Sequence, residues 1–396
     1  MSIDKSILSP EIRAFAKAHE NESLPELILK GSPFDHIKIQ DIAQQIKGLQ
    51  TAKEKFPILY DNEHIIYPPK INLEQSSSEI TARYKANLIS KNDRIIDITG
   101  GMGIDAMAFY EISGSVIYIE SDPNTYAYTV HNFKARQQKI RPFNADGIEF
   151  LKKNNDTYNW IYIDPARRDE QNSKVFRFED CQPDVLEHMN LFKSKASKLM
   201  IKASPLLDIN QSLELLPHVE SVHVISVKNE TKELLLIINF EKTTTNPTIN
   251  AVNLATEQNS FSAKYSDRLK VQTFSLPQRF LYEPNASIMK SGFFGNICEE
   301  YSLSALHPNS HLFTSSQNIE FPGRKFKIIK TLQPKKKLIN KHLKDKKANI
   351  STRNYPLKPE QIKKKYGISD GGSLFVFFTT NLKNEKIALI CKKLII

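Results

Sequence analysis

Residues 93–112 read DRIIDITGGMGIDAMAFYEI, and their reading decides the fold. The isoleucine-rich run 93–99 predicts a buried strand. Gly100, Gly101 and Gly103 then make a turn, and IDAMAFYEI resumes as a helix. Glycines in such a turn let the backbone approach a ligand, and the helix start offers free N–H groups. Gly101-x-Gly103-x-x-Ala106 fits the dinucleotide fingerprint, although a tight strand–turn–helix uses the same glycines with no ligand at all. Glu120 lies about 20 residues further on, at the end of the next strand, where a carboxylate can accept ribose hydroxyls.

Working outward, strand and helix alternate. SVIYIE (115–120), IRPFNAD (140–146), NWIYIDP (159–165) and KLMIKAS (198–204) read as strands, with helical stretches between them. This alternation predicts a parallel sheet covered on both faces. SVHVISV (221–227) and ELLLIINF (233–240) are separated by so short a link that they must pair antiparallel, closing the sheet with a hairpin. Upstream, EIRAFAKAH and IQDIAQQIKGL predict helices within residues 1–60, IIYPPKINLEQ an extended segment, and Ser76 with Glu79 a capping box. Downstream, KTTTNPTINAV (242–252) reads as a loop. The end reads as strand GRKFKII, helix PKKKLINKHL, strand ANISTRN, helix KPEQIKKKYGI and a final hairpin.

Of 396 residues, 40% are hydrophobic and 25% charged, as in ordinary globular proteins. No apolar run approaches the roughly 18 residues that span a bilayer, and the N-terminus lacks a signal-peptide pattern. The three cysteines are scattered and form no metal-ligand motif, so neither a metal site nor a disulfide framework is expected, and the cytoplasm is the expected compartment. Residues 321–396 carry 20 Lys+Arg against 4 Asp+Glu, while the rest of the chain carries 35 against 40. The excess positive charge therefore sits wholly in the last 76 residues, which points to a polyanion such as RNA. Lys335, Lys336, Lys337, Arg353, Lys363 and Lys364 are the candidate phosphate contacts. A solvated lysine-rich surface would show the same composition.

Two features choose among ligands for the glycine turn. Asp97 precedes the glycines within the strand, where its carboxylate would repel a pyrophosphate but suits a cation such as the amino group of a methionine moiety. The fourth strand ends in Asp164-Pro165, for which a dehydrogenase has no use. Together they favour S-adenosylmethionine (SAM) over a nicotinamide cofactor. Asp97-x-x-Gly-Gly-x-Gly, Glu120-Ser-Asp-Pro, Asn144-Ala-Asp146-Gly147 and Asp164-Pro165 resemble, in order, the motifs of class I SAM-dependent methyltransferases. Within that class the chain resembles a bacterial family with a C-terminal THUMP-like domain, through LEQSSSEITARYKA (73–86), YIDPARR (162–168), VKNETKELLL (227–236), YEPNASIMKSG (282–292) and ANISTRNYPL (348–357).

The resemblance implies roles for particular residues. Asp97, Thr99, Gly101 and Gly103 would hold the methionine part of SAM, Glu120 the ribose and Asp146 the adenine amino group, with Gly147 leaving room. Asp146 equally suits the N-cap of helix GIEFLKK. In relatives that methylate base amino groups, strand four ends in Asp/Asn-Pro-Pro-aromatic, whose oxygens accept the amino protons. Here Asp164-Pro165 is kept and Ala166-Arg167 stands in place of the Pro-aromatic pair. Arg167 would offer its guanidinium as a stacking plane, or with Arg168 clamp a phosphate, or pair with Asp169, Glu170 or Glu179. Tyr84 and Phe176 are alternative stacking rings. Lys202, at the end of the fifth strand, faces the same rim by topology and reads more readily as a solvated strand end, His131 as surface and Trp160 as core.

The implied architecture is an α/β class I methyltransferase sheet with N-terminal helices and a C-terminal α+β THUMP-like and ferredoxin-like region. Its parts are helices at 1–75, the methyltransferase domain at 76–242, a small linking region at 253–320 and the basic THUMP-like domain at 321–396. The implied activity is SAM-dependent methylation of a base nitrogen in tRNA or rRNA. A methyltransferase of protein or small molecules, and a non-catalytic RNA-binding protein retaining the fold, are the alternatives; oligomeric state is left open.

Overall fold

The structure is a computed structural model and describes residues 3–167, 178–343 and 346–394. The chain forms two compact units, Met1–Glu220 with Leu234–Thr245, and Ser221–Glu233 with Asn246–Ile396.

The first unit opens with helices Pro10–Ala18, Leu24–Lys30 and Ile39–Lys55. Ser9 caps the first, accepting from the Ile12 N–H, and Pro10 fills a position where no N–H is needed. Ile12, Ala16, Ile39, Ile42 and Ile46 repeat at helical spacing and are buried together. Two local expectations shift. The segment expected to stay extended becomes helical at Lys70–Gln75, directly after Pro69. The following helix, Glu79–Ala86, is capped by Ser78 rather than Ser76. Glu79 is then the first helical residue, and its carboxylate accepts from the Ile58 N–H and pairs with Arg83 instead of closing a capping box.

The sheet follows the predicted alternation. Ile95–Asp97 lies between Val116–Glu120 and Tyr158–Ile163, parallel to both. Arg141–Asn144 extends one side and Ala196–Ala203 the other, also in parallel. The strand Glu230–Asn239 then runs antiparallel to Ala196–Ala203, with Lys198 opposite Asn239. The preceding turn is tighter than expected: Lys228 and Asn229 both have positive φ, the mirror-image turn that suits a two-residue hairpin. Strand order reverses at Ile95–Asp97, so the C-terminal ends of this strand and of Tyr158–Ile163 border the crevice where open α/β sheets bind ligands.

In the second unit, the Ser221–Val227 stretch pairs in parallel with Thr248–Leu254. Residues 242–252 were expected to be a loop. Their Thr/Asn/Pro start hides a strand whose Ile249 and Ala251 are buried on either side of a half-exposed Asn250. A seven-stranded sheet follows, in the order Ser304–Ala305, Phe313–Ser315, Phe280–Pro284, Gly323–Leu332, Lys386–Lys393, Leu374–Thr380, Asn349–Thr352. Helices Lys336–Asn340 and Pro359–Tyr366 pack Ile339, Ile362 and Tyr366 against Val376, Phe378 and Ile390 of this sheet. Among the described residues, no helix is long and apolar enough to cross a membrane, and no group of His, Cys, Asp or Glu is arranged to hold a metal. All three cysteines are buried, and among the described residues none is joined in a disulfide.

Candidate functional site

The glycine turn is held by hydrogen bonds on every side. Gly101 has a φ of +52°, a conformation that favours glycine, and a Cβ there would meet nothing within 4 Å. Its carbonyl accepts from the Tyr118 hydroxyl at 2.5 Å and the Thr129 hydroxyl at 2.9 Å. Its N–H donates to Glu120 Oε2 at 2.8 Å, and the other Glu120 oxygen accepts from the Asp122 N–H at 2.7 Å. Gly103 stands at the start of helix Ile104–Ser113, also left-handed, with Thr129 and Phe133 against it. The turn is thus fixed before any ligand arrives, and it leaves space over Gly101.

Carboxylates converge around that space. Asp97 ends the first strand, is 1% exposed and accepts from the Thr99 N–H at 3.0 Å. Burial pushes its carboxyl well above the usual range, and the charges of Asp105, Asp164 and Glu120 push the same way. Asp105 is the contrasting case. Burial works to raise it too, but the charges of Lys85 and Lys202 and a hydrogen bond from Ser77 outweigh it and hold Asp105 below the usual range. Its carboxylate pairs with Lys85 Nζ at 2.9 Å and accepts from the Ser77 hydroxyl at 2.7 Å and the Tyr162 hydroxyl at 2.8 Å.

Asp164 follows the fourth strand and is half-buried. Its N–H donates to the Thr99 hydroxyl at 2.7 Å, tying the two strand ends together, and Pro165 behind it is buried. Its carboxylate pairs with Lys202. Lys202 is therefore no solvated strand end: it is 9% exposed, and since Ile163 lies opposite Ile201, the next residues along, Asp164 and Lys202, fall side by side.

Asp146 is exposed and caps helix Gly147–Lys153, accepting from the Glu149 N–H at 2.9 Å. It lines a cavity of about 360 Å³ with Ala145, Glu149, Phe150, Lys153 and Asn154. Gly147 faces the fold: a Cβ there would lie 2.3 Å from the Ile98 carbonyl oxygen, so the close approach of helix to strand requires glycine. Trp160 is buried as expected, its Nε1–H donating to Asp93 at 2.9 Å. His131 is half-buried, within 2.8 Å of the His64 carbonyl oxygen. Tyr84 is half-buried, and burial pushes its phenol up to about 12. Arg168, Asp169, Glu170 and Phe176 lie outside the described residues, as do the side chains of Arg167 and Glu179.

The basic residues of the second unit divide. Lys335, Lys336, Lys337 and Lys364 are exposed. Lys363 is half-buried and pairs with Asp370 at 2.6 Å. Arg353 donates to the buried Glu283 at 2.9 Å rather than joining the lysine face.

The sequence reading missed Ser77, Lys85, Asp105 and Tyr162. The quoted stretches SSSEITARYKA and IDAMAF contained three of them, but only the fold brings them together.

Comparison with known proteins agrees with this architecture. Residues 280–322 match a ferredoxin-like domain family and residues 323–393 a THUMP-like domain family. The solved structure of a putative methyltransferase from Porphyromonas gingivalis W83 is 28% identical, with a TM-score of 0.86 over 99% of this chain and 100% of that one. Ribosomal RNA small subunit methyltransferase J of Bdellovibrio bacteriovorus is 28% identical over 159 residues, 38% of this chain and 59% of that protein, so the match leaves two fifths of that relative's length unspanned. The chain has a methyltransferase fold with a C-terminal THUMP-like domain.

Proposed function

We propose that the chain is a SAM-dependent methyltransferase acting on a base nitrogen of RNA, within a catalytic domain at 76–242 that is followed by a linking region at 253–320 and a basic RNA-gripping domain at 321–396. The observation that carries the reading is the set of strand-end carboxylates around a preformed glycine turn: Asp97 buried, Glu120 on the next strand and Asp164 across the switch point. Such a site is short of positive charge beside Asp97, and the residues fit a ligand with a cationic amino group, a ribose and an adenine. SAM, when bound, supplies a methyl group on a sulfonium that is already a good leaving group.

This chain's residues do the rest. Asp97 binds the amino cation, which keeps its carboxyl ionised. Glu120 is aimed by the Gly101 and Asp122 N–H groups, and its remaining lone pairs accept ribose hydroxyls. Asp146 faces the adenine amino group. Asp164, held in place by Lys202 and by its N–H to Thr99, would accept the proton lost by a base nitrogen that takes up the methyl group. Orientation of the two reactants supplies most of the acceleration. RNA is the favoured substrate because Lys335, Lys336, Lys337 and Lys364 offer exposed phosphate contacts and because the Bdellovibrio relative is named for ribosomal RNA.

The test is methylation of bulk tRNA and rRNA, taken from a strain lacking the gene, with radiolabelled SAM. Label entering one RNA class, and absent with Asp164→Ala, supports the reading. Label entering protein or small molecules but no RNA contradicts its RNA half; no label in any fraction contradicts the whole.

A further inference from the structure

The second unit holds a cavity that the methyltransferase reading does not use. It measures about 380 Å³ and is lined by Asn229, Glu283, Met289, Lys290, Arg324 and Arg353 among others, residues far apart in sequence. Its size falls within the roughly 300–1,000 Å³ of small-ligand sites and exceeds what a bare inorganic anion needs.

Its charge is built around one buried carboxylate. Glu283, 2% exposed, lies in the strand Phe280–Pro284 directly opposite Arg324 of Gly323–Leu332. Arg324 Nε donates to Glu283 Oε2 at 2.6 Å, and its guanidinium also pairs there through a terminal nitrogen. Arg353, arriving from just beyond strand Asn349–Thr352, donates to Glu283 Oε1 at 2.9 Å. One carboxylate therefore fixes two guanidinium groups, each with more than a third of its side chain still exposed. The Phe326 and Phe375 rings lie 5.6 and 6.0 Å from the Arg324 guanidinium carbon and brace it further. Two arginines against one glutamate leave an excess of positive charge. Arg353 Nε is buried with no hydrogen-bond partner among the described residues, a donor left unsatisfied.

Planar forks fixed from behind, with donors to spare, are suited to an oxyanion with several oxygens. We propose that this cavity binds the phosphate group of a nucleotide-sized ester, presented by an RNA strand or by a free nucleotide. The exposed lysines of the same unit attract the polyanion loosely; the Glu283–arginine set gives one phosphate a fixed seat. The inference goes beyond the catalytic reading and does not depend on it, since the test reads binding and not methyl transfer.

The experiment is fluorescence anisotropy at fixed salt with the full chain and a short labelled oligoribonucleotide, carrying either a 5′-phosphate or a 5′-hydroxyl, with inorganic phosphate and AMP as competitors. The variants are Arg353→Gln, Arg324→Gln and Met289→Trp. Met289 lines the cavity but is no member of the ion pairs, so a bulkier side chain there remains informative where an arginine variant fails to fold. At least a tenfold loss of affinity for one or more of these probes is expected in every folded variant, with AMP competing better than inorganic phosphate. A loss confined to the 5′-phosphorylated strand identifies a strand end as the source. An equal loss on both strands identifies an internal phosphate, and a loss for labelled AMP, used as a separate probe, with neither strand changed identifies a free nucleotide. Wild type, Arg353→Gln and Met289→Trp binding every probe equally would overturn the proposal.

Discussion

Lys85 and Lys336 carry the same ammonium group in opposite settings. Lys85 has no exposed side-chain surface and is committed to Asp105 and Ser77, beneath the glycine turn. Lys336 stands exposed at the start of a short helix, between two further exposed lysines. Around its glycine turn the first unit sets Lys85 against Asp105 and Lys202 against Asp164, in pairs that hold a small site still. The second spreads most of its positive charge over solvent, where it can meet a long anion in many registers. Buried charge fixes geometry at a high cost of desolvation; exposed charge contributes affinity but little structure. The Glu283–Arg324–Arg353 set belongs with the first kind although it sits in the second unit.

The contrast breaks most visibly by removing one buried partner. Lys85→Ala leaves Asp105 buried without its ammonium and should destabilise the fold by about 3–5 kcal/mol, read by urea denaturation. Loss below about 1 kcal/mol would mean that the network is not built as described. Next in size is Asp164→Ala, which should lower methyl transfer by about a hundred- to ten-thousand-fold while leaving cofactor affinity within a few-fold; equal loss of both would make Asp164 a cofactor ligand instead.

The exposed side is sharpened by Lys335→Gln, Lys336→Gln and Lys337→Gln together. Stability should change by less than about 0.5 kcal/mol per site. The slope of RNA affinity against salt, on logarithmic axes, should become shallower by about two, from roughly 0.7 for each lost single-strand phosphate contact. An unchanged slope would make those lysines bystanders.

The smallest effect concerns Asp97. Its folded-state carboxyl is raised above the unfolded value, so its contribution to stability is full below the unfolded value and is lost as pH rises through the folded one. Asp97→Asn escapes that loss. Without ligand, the variant should melt above wild type at pH 8, with the gain shrinking towards pH 4. A variant that melts lower at pH 8 would contradict the raised carboxyl.

Much of the first site was legible because its residues sit at positions that sequence patterns mark. Asp97, Gly101 and Glu120 follow strand ends, and a strand end followed by glycine or an acidic residue is visible in one dimension. Asp164 was visible for the same reason. Its partner Lys202 was not: the pairing depends on which strands are neighbours and in what register, and once Ile163 is set against Ile201 the ion pair follows. Lys85 was harder still, because a lysine on the buried face of a helix looks like a solvated one until Asp105, 20 residues away, is placed against it. Asp146 was read both as adenine ligand and as helix cap, and its cap bond to Glu149 is present. Arg353 was grouped with the lysines by composition, whereas Glu283, 70 residues earlier, gives it a different neighbourhood.

The central claim is that the carboxylates around the glycine turn form a SAM site. Isothermal titration of the full chain with SAM and S-adenosylhomocysteine, alongside Asp97→Asn and Glu120→Ala, tests it most directly. The account predicts micromolar binding of both ligands by wild type, weakened at least tenfold in each variant, with protons released as Asp97 ionises below its raised range. Absence of binding by wild type, with and without bulk RNA present, or binding unchanged in both variants, would contradict it.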